Sequence, residues 1–217
     1  MRTEAFTQIG LDSGALGALG TVVHQFKEPG SYIATVLADG REVAEQTITV
    51  AEGGRPALQI DMADIADDRS SEKCCDQHPP ELDVGGYASF YVGVGNKRYA
   101  VVVRRAGKRG VEFDSRRLQE GDLFAATVLR PGKYRITNEH GKGAMGLEVR
   151  YVRRGRSKYE PAKPLKVKIG ESLAKDVLKA GPAQGLIFEA TGPTRAIVEL
   201  VEPDDGEGTG YTTKKAS

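Results

Sequence analysis

The tetrapeptide Pro-Gly-x-Tyr occurs twice in this chain, as Pro29-Gly30-Ser31-Tyr32 and as Pro131-Gly132-Lys133-Tyr134. Proline presets φ for the second position of a tight turn, and glycine tolerates the positive φ that such a turn asks of its third position. The tyrosine then opens an extended run, Ile33-Ala34-Thr35-Val36-Leu37 after the first copy and Arg135-Ile136-Thr137-Asn138 after the second. A turn of this kind feeds strands at the edges of antiparallel β-sandwiches. Two copies predict two such modules in tandem.

The rest of the chain agrees with an all-β reading. Its 27 glycines are scattered among β-branched runs, the pattern of many short strands joined by turns. The alternation predicts strands over residues 4–9, 21–26, 31–37, 42–50 and 57–60, with Asp39-Gly40 as a type I′ hairpin turn and Gly53-Gly54 as the next turn. Further strands are predicted over 87–94 and 99–104, as a hairpin across Gly95-Asn96, and over 111–113, 123–129, 147–152, 165–169, 186–190 and 196–201. Thr191-Gly192-Pro193-Thr194 is read as a hairpin turn between the last two, and 172–178 as a helical turn capped by Ser172. Residues 66–83 are polar, carry Cys74 and Cys75, and include a proline pair, which marks an interdomain linker. The expected organisation is a small β-sandwich module over 1–65, the linker over 66–83, a larger β-sandwich module over 84–203 and a disordered tail over 204–217.

Charge is segregated along the chain. Residues 1–85 hold 6 Lys/Arg against 15 Asp/Glu, a net −9. Residues 97–168 hold 20 against 7, a net +13. Opposed patches of this kind steer association and fix register, so the two segments are expected to pack on each other or to recruit a second copy. The basic residues Arg104, Arg105, Lys108, Arg109, Arg153, Arg154 and Arg156 form the candidate binding surface. Nucleic acid or another polyanion is the alternative partner, though no nucleic-acid-binding motif accompanies these residues. Tyrosines 87, 91, 99, 134, 151 and 159 add candidate interface anchors. No run approaches the ~18 apolar residues of a membrane span, and Met1-Arg2-Thr3-Glu4 opens no signal peptide. Cytoplasmic location is the expectation, with a virion component or a processed secreted protein left open.

From Phe113 to Gly146 the chain resembles the cupredoxin family: a Gly121-Asp122 turn and strand, then Pro131-Gly132-Lys133-Tyr134, then a loop with His140 and Met145. The resemblance implies a cupredoxin-like or immunoglobulin-like β-sandwich, with Tyr134 at the family's tyrosine and His140 and Met145 at ligand positions. Asn138 stands near where the family's copper-bound thiolate belongs, and no cysteine follows Cys75. Blue-copper chemistry depends on that thiolate, so the resemblance speaks for the fold.

A second metal candidate is Cys74-Cys75-Asp76-Gln77-His78, whose thiolates and imidazole suit zinc or copper. No cofactor is otherwise expected. The chain lacks a Gly-x-Ser-x-Gly elbow, a phosphate loop and His-Glu-x-x-His. The carboxylate pairs Glu112/Asp114 and Asp114/Asp122 read as solvated side chains rather than as an acid and base. The expectation is a non-catalytic binding or structural protein that assembles with other proteins or with itself. A metal-binding cupredoxin-like protein and a polyanion-binding module are the alternatives.

Overall fold

The computed structural model describes residues 9–67, 79–150, 160 and 162–204. Among these residues the chain forms fourteen strands and one short helix. Strands β1 (Gly10–Asp12), β2 (Gly20–Gln25), β3 (Gly30–Ala38) and β4 (Arg41–Asp61) lead into α1 (Met62–Asp67). Then come β5 (Glu81–Tyr91), β6 (Tyr99–Arg105), β7 (Val111–Asp114), β8 (Leu123–Thr127) and β9 (Gly132–Asn138). The last are β10 (Ala144–Val149), β11 (Leu165–Ile169), β12 (Val177–Ala180), β13 (Gly185–Ala190) and β14 (Ala196–Pro203). They pair into a five-stranded sheet, ordered β1-β14-β9-β10-β12, and a nine-stranded sheet, ordered β11-β13-β8-β2-β5-β4-β3-β6-β7. The all-β expectation holds.

The partition into tandem antiparallel modules meets a different arrangement. Strand β2 lies between β5 and β8, and β1 pairs with β14, so residues from both sides of the expected break share both sheets. Most buried apolar side chains form one cluster that runs through both sheets. Three pairs, β4·β5, β10·β12 and β11·β13, are parallel. A parallel pair needs a crossover far longer than a hairpin. In chain order β4 runs into α1 and is followed by β5, which pairs with β4 in the same sheet; residues 68–78 of the stretch read as a linker lie outside the described residues. Asp61 ends β4 and caps α1: its Oδ1 accepts the Ala63 N–H at 3.0 Å, and its carboxylate also accepts the Gly93 N–H.

Local turn chemistry is right in some places and overridden in others. Asp39 and Gly40 have φ of 49° and 78°, and they join β3 to β4 antiparallel, as expected of a type I′ turn. Gly53-Gly54 does not reverse the chain. It sits inside the long β4 where the register against β5 shifts, and a Cβ on Gly54 would lie 2.5 Å from the Leu82 carbonyl carbon. The two strands flanking Gly95-Asn96 do not pair with each other: β5 is held between β2 and β4, and β6 between β3 and β7. Thr191–Thr194 passes between sheets rather than making a hairpin, because β13 belongs to the larger sheet and β14 to the smaller. Residues 172–178 form no helix; Val177 begins strand β12. Residues 4–8 of the strand expected over 4–9, and 205–217 of the tail expected over 204–217, lie outside the described residues.

The larger sheet curls. Phe113 on its edge strand β7 packs against His24 of β2 with ring centroids 4.9 Å apart, and stacks on Phe90 of β5 at 5.8 Å. Several strands separate these partners in sheet order, so the sheet must fold back on itself. Phe26, Tyr32, Phe90 and Phe113 fill the curl, and each is almost fully buried. Side chains of this size contribute on the order of 1.5–3 kcal/mol each when buried.

Both Pro-Gly-x-Tyr turns close in the same way. The Tyr32 hydroxyl donates to the Glu28 carbonyl at 2.9 Å, and the Tyr134 hydroxyl donates to the Arg130 carbonyl at 2.7 Å. Each is a tyrosine corner, a phenol reaching back to the backbone just upstream, as in Greek-key sandwiches.

Candidate functional site

The outer face of the five-stranded sheet follows from simple alternation. On β9, Tyr134 and Ile136 point into the core while Lys133 and Arg135 are exposed. Strand β14 runs antiparallel beside it, with Glu199 opposite Arg135 and Glu202 opposite Lys133. The Lys133 Nζ donates to Glu202 Oε2 at 2.8 Å, which raises the lysine pKa. On the other side of β9, Glu148 of β10 accepts from Arg150, and β12 beyond it exposes Lys179. Charge therefore alternates strand by strand, acidic on β14, basic on β9, acidic on β10, basic on β12.

Apolar side chains stand among these charges. The register of β14 shifts between Leu200 and Glu202, and Val201 is the extra residue, 57% exposed. Val177 is 62% exposed beside Gly146, where a Cβ would meet its Cγ2 at 3.1 Å. The bare glycine thus forms a floor. Val201 borders two hollows at once. One, of about 440 Å³, reaches Val177 and Gly146; the other, of about 380 Å³, reaches Ile9 and Ile197. Ile9 is 65% exposed.

Arg195 anchors the edge of this sheet. Its Nε and Nη2 donate to the two Asp12 carboxylate oxygens at 3.0 and 2.9 Å, and its Nη1 donates to Glu139. These bonds, Asp12 first, hold its pKa above the ordinary arginine value. The bidentate fork ties the short β1 to the start of β14. Asn138 braces the same corner, donating to the Gly170 and Pro193 carbonyls and accepting from the Arg195 and His140 N–H groups.

A buried polar cluster lies elsewhere, at the seam of the curled sheet. His24 Nδ1 is 2.6 Å from Asp122 Oδ1, and the other Asp122 oxygen accepts the Gln119 N–H. An imidazole held by a carboxylate is the orienting half of a nucleophilic triad. Here the other ring nitrogen, Nε2, is buried without a hydrogen-bond partner, and the facing group is Glu112 Oε1 at 3.8 Å. A carboxylate rather than a hydroxyl or thiol occupies the nucleophile's place. The cluster joins β2, β7 and the turn before β8, and it reads as a seam contact.

The residues singled out in the sequence fall in several places. His140 is exposed in the turn after β9, with Nε2 3.1 Å from the Arg116 carbonyl. Met145 is buried on β10 as part of the core, so the two do not form one exposed pair. No group of three or more His, Cys, Asp or Glu side chains suited to a metal ion occurs among the described residues. Cys74, Cys75 and His78 lie outside the described residues, as do Arg153, Arg154, Arg156, Tyr151 and Tyr159. Arg104, Lys108 and Arg109 are exposed on β6 and the turn after it. Arg105 pairs with Glu28 and lies over the Tyr32 ring, so acidic and basic segments of the chain meet here within one molecule. Glu112 and Asp114 do not act as a pair: Asp114 receives a two-pronged contact from Arg116, and Glu112 faces His24. Tyr99 and Tyr134 are buried, and Tyr87 is exposed. Sequence reasoning missed His24 and the Glu199/Glu202 column. The alternation Lys133, Tyr134, Arg135, Ile136 was the available signal for the face.

No helix among the described residues is long and apolar enough to cross a membrane. In comparisons with known proteins, no family model, no curated protein and no solved structure matches this chain.

Proposed function

We propose that this chain is a non-catalytic binding or assembly protein whose contact surface is the outer face of the five-stranded sheet. The observation that carries this reading is the placement of Val201. It is an exposed apolar bulge residue that borders two adjoining hollows and stands on the acidic strand β14 beside the basic strand β9. Burying such a side chain in a partner stabilises a complex by roughly 1.5 kcal/mol or more. The flanking Lys, Arg and Glu columns would set orientation. The reading needs no reaction and no cofactor.

Covalent footprinting tests it without knowing the partner. Side chains are labelled in dilute purified protein and in concentrated extract of the source cells. Labelling at Val177 and Val201 is expected to fall in the extract while that at Val111, on the far edge of the larger sheet, stays constant. Equal labelling of Val177 and Val201 under both conditions would contradict the reading.

A further inference from the structure

We infer that the partner seated on this face is a second copy of the chain, related by a two-fold axis that runs parallel to the strands above the seam between β14 and β9. The inference rests on the proposed contact face and names its occupant. An isologous interface must be self-complementary: each patch meets its own image. For two sheets facing each other, rotation about an axis along the strands keeps each residue's position along the strand and exchanges the strands on either side of the axis. Strand β14 then faces β9 of the second copy, and β9 faces β14.

The register makes this exchange complementary in detail. Glu199 stands opposite Arg135 within the chain, and Glu202 opposite Lys133. Under the rotation Glu199 comes to lie over Arg135 of the second copy, and Glu202 over Lys133 of the second copy. The reciprocal pairs form at the same time. All four side chains are exposed. Packed sheets lie about 10 Å apart, a gap that long Lys, Arg and Glu side chains span from both sides. Val201, on β14 next to the axis, meets its own image and supplies the apolar centre. Had the two columns carried the same sign, the exchange would have set like charges against each other; with opposite signs in matched register, each chain is complementary to itself.

A charge-exchange experiment on the full chain tests this. Lys133→Glu with Arg135→Glu makes both columns acidic; Glu199→Arg with Glu202→Lys makes both basic. Molar mass is measured by light scattering as concentration rises at low salt, with circular dichroism and melting to confirm folding. Wild type is expected to reach twice the chain mass, and each variant alone to remain at the mass of one chain. Mixed in equal amounts, the two variants are expected to recover the doubled mass, because the acidic columns of one now face the basic columns of the other. If a variant fails to fold, Val201→Asp replaces it, with loss of the doubled mass expected. Wild type that stays at the mass of one chain throughout would overturn the inference. So would variants that dimerise alone, a mixture that does not recover, or an undiminished Val201→Asp dimer. A monomeric wild type whose Val201 is nonetheless shielded in cell extract would overturn the self-pairing and leave the contact face standing. Absence of both would overturn both.

Discussion

The two Pro-Gly-x-Tyr corners share four residues of pattern and one hydrogen bond, yet they are built into the molecule differently. Gly30 and Gly132 have nearly equal φ, 149° and 153°. A Cβ on Gly30 would meet the Arg105 guanidinium at 2.9 Å, the mobile end of a long side chain. A Cβ on Gly132 would meet the Glu202 carbonyl at 2.6 Å and the Pro203 Cα at 3.2 Å, which are backbone. The first corner packs into the curled sheet, with Tyr32 edge-on to Phe26 and beneath Arg105. The second is pinned against β14 and launches Lys133 and Arg135 onto the outer face of the five-stranded sheet. Identical local chemistry thus serves a side-chain core in one place and the register of two strands in the other.

The largest expected effect lies at the seam near the first corner. His24→Ala leaves the buried Asp122 carboxylate with the Gln119 N–H but without its imidazole partner, and removes a ring packed on Phe26 and Phe113; the loss is expected to be about 3 kcal/mol. A lowered denaturant midpoint at unchanged slope measures it. A change under 1 kcal/mol would mean that the seam carries no pairing.

Next comes the contrast between the glycines. Gly132→Ala is expected to cost about 3 kcal/mol, from strain at positive φ together with a backbone clash. Gly30→Ala is expected to cost roughly 1–2 kcal/mol from strain, because Arg105 can swing aside. Arg105→Ala in the Gly30→Ala chain is expected to be less than additive, by about 0.5 kcal/mol or more. Equal losses at the two glycines would erase the difference between the corners.

The smallest effect is at the phenols. Tyr32→Phe and Tyr134→Phe are each expected to cost about 1 kcal/mol through the lost hydrogen bond. Burial raises both phenols, and Tyr134 is pushed up to about 12 from an ordinary value of 10. A raised folded-state value means that the unfolded chain releases the proton first. The tyrosine's contribution is therefore complete below pH 10 and is lost as pH rises from 10 through about 12. Tyr134→Phe is expected to flatten that alkaline fall relative to wild type; an unchanged slope would place the loss elsewhere.

Much of the local structure was legible because it is local. The Asp39-Gly40 turn follows from the two residues that occupy it, and the strands opening at Tyr32 and Tyr134 follow from the Pro-Gly before them; the hydroxyl bonds to Glu28 and Arg130 were not read in advance. Strand partners were not legible, because pairing is decided by residues far apart. Gly95-Asn96 has hairpin chemistry, but β5 and β6 have both edges taken by other strands. The polarity of 66–83 is equally compatible with a linker between domains and with a segment that joins two strands of one sheet, and β4 and β5 on either side of it pair with each other. The proposed contact face was half legible: Lys133 and Arg135 alternate with core residues in plain sequence. Their opposition to Glu199 and Glu202 depends on a register more than sixty residues away. His24 gave no local signal, since Asp122 reaches it only once β2 and β8 are neighbours.

The most direct test of the contact face is cross-linking at its centre. In a chain with Cys74→Ser and Cys75→Ser, a single Val201→Cys substitution stands next to the expected axis, while Val111→Cys on β7 serves as an equally exposed control. With a bis-maleimide reagent spanning about 10 Å, at low salt, the Val201→Cys chain is expected to form a cross-linked dimer quickly, and the control chain slowly or not at all. Rapid cross-linking of the Val111→Cys chain with none through position 201 would contradict the account and move the contact to the edge of the larger sheet.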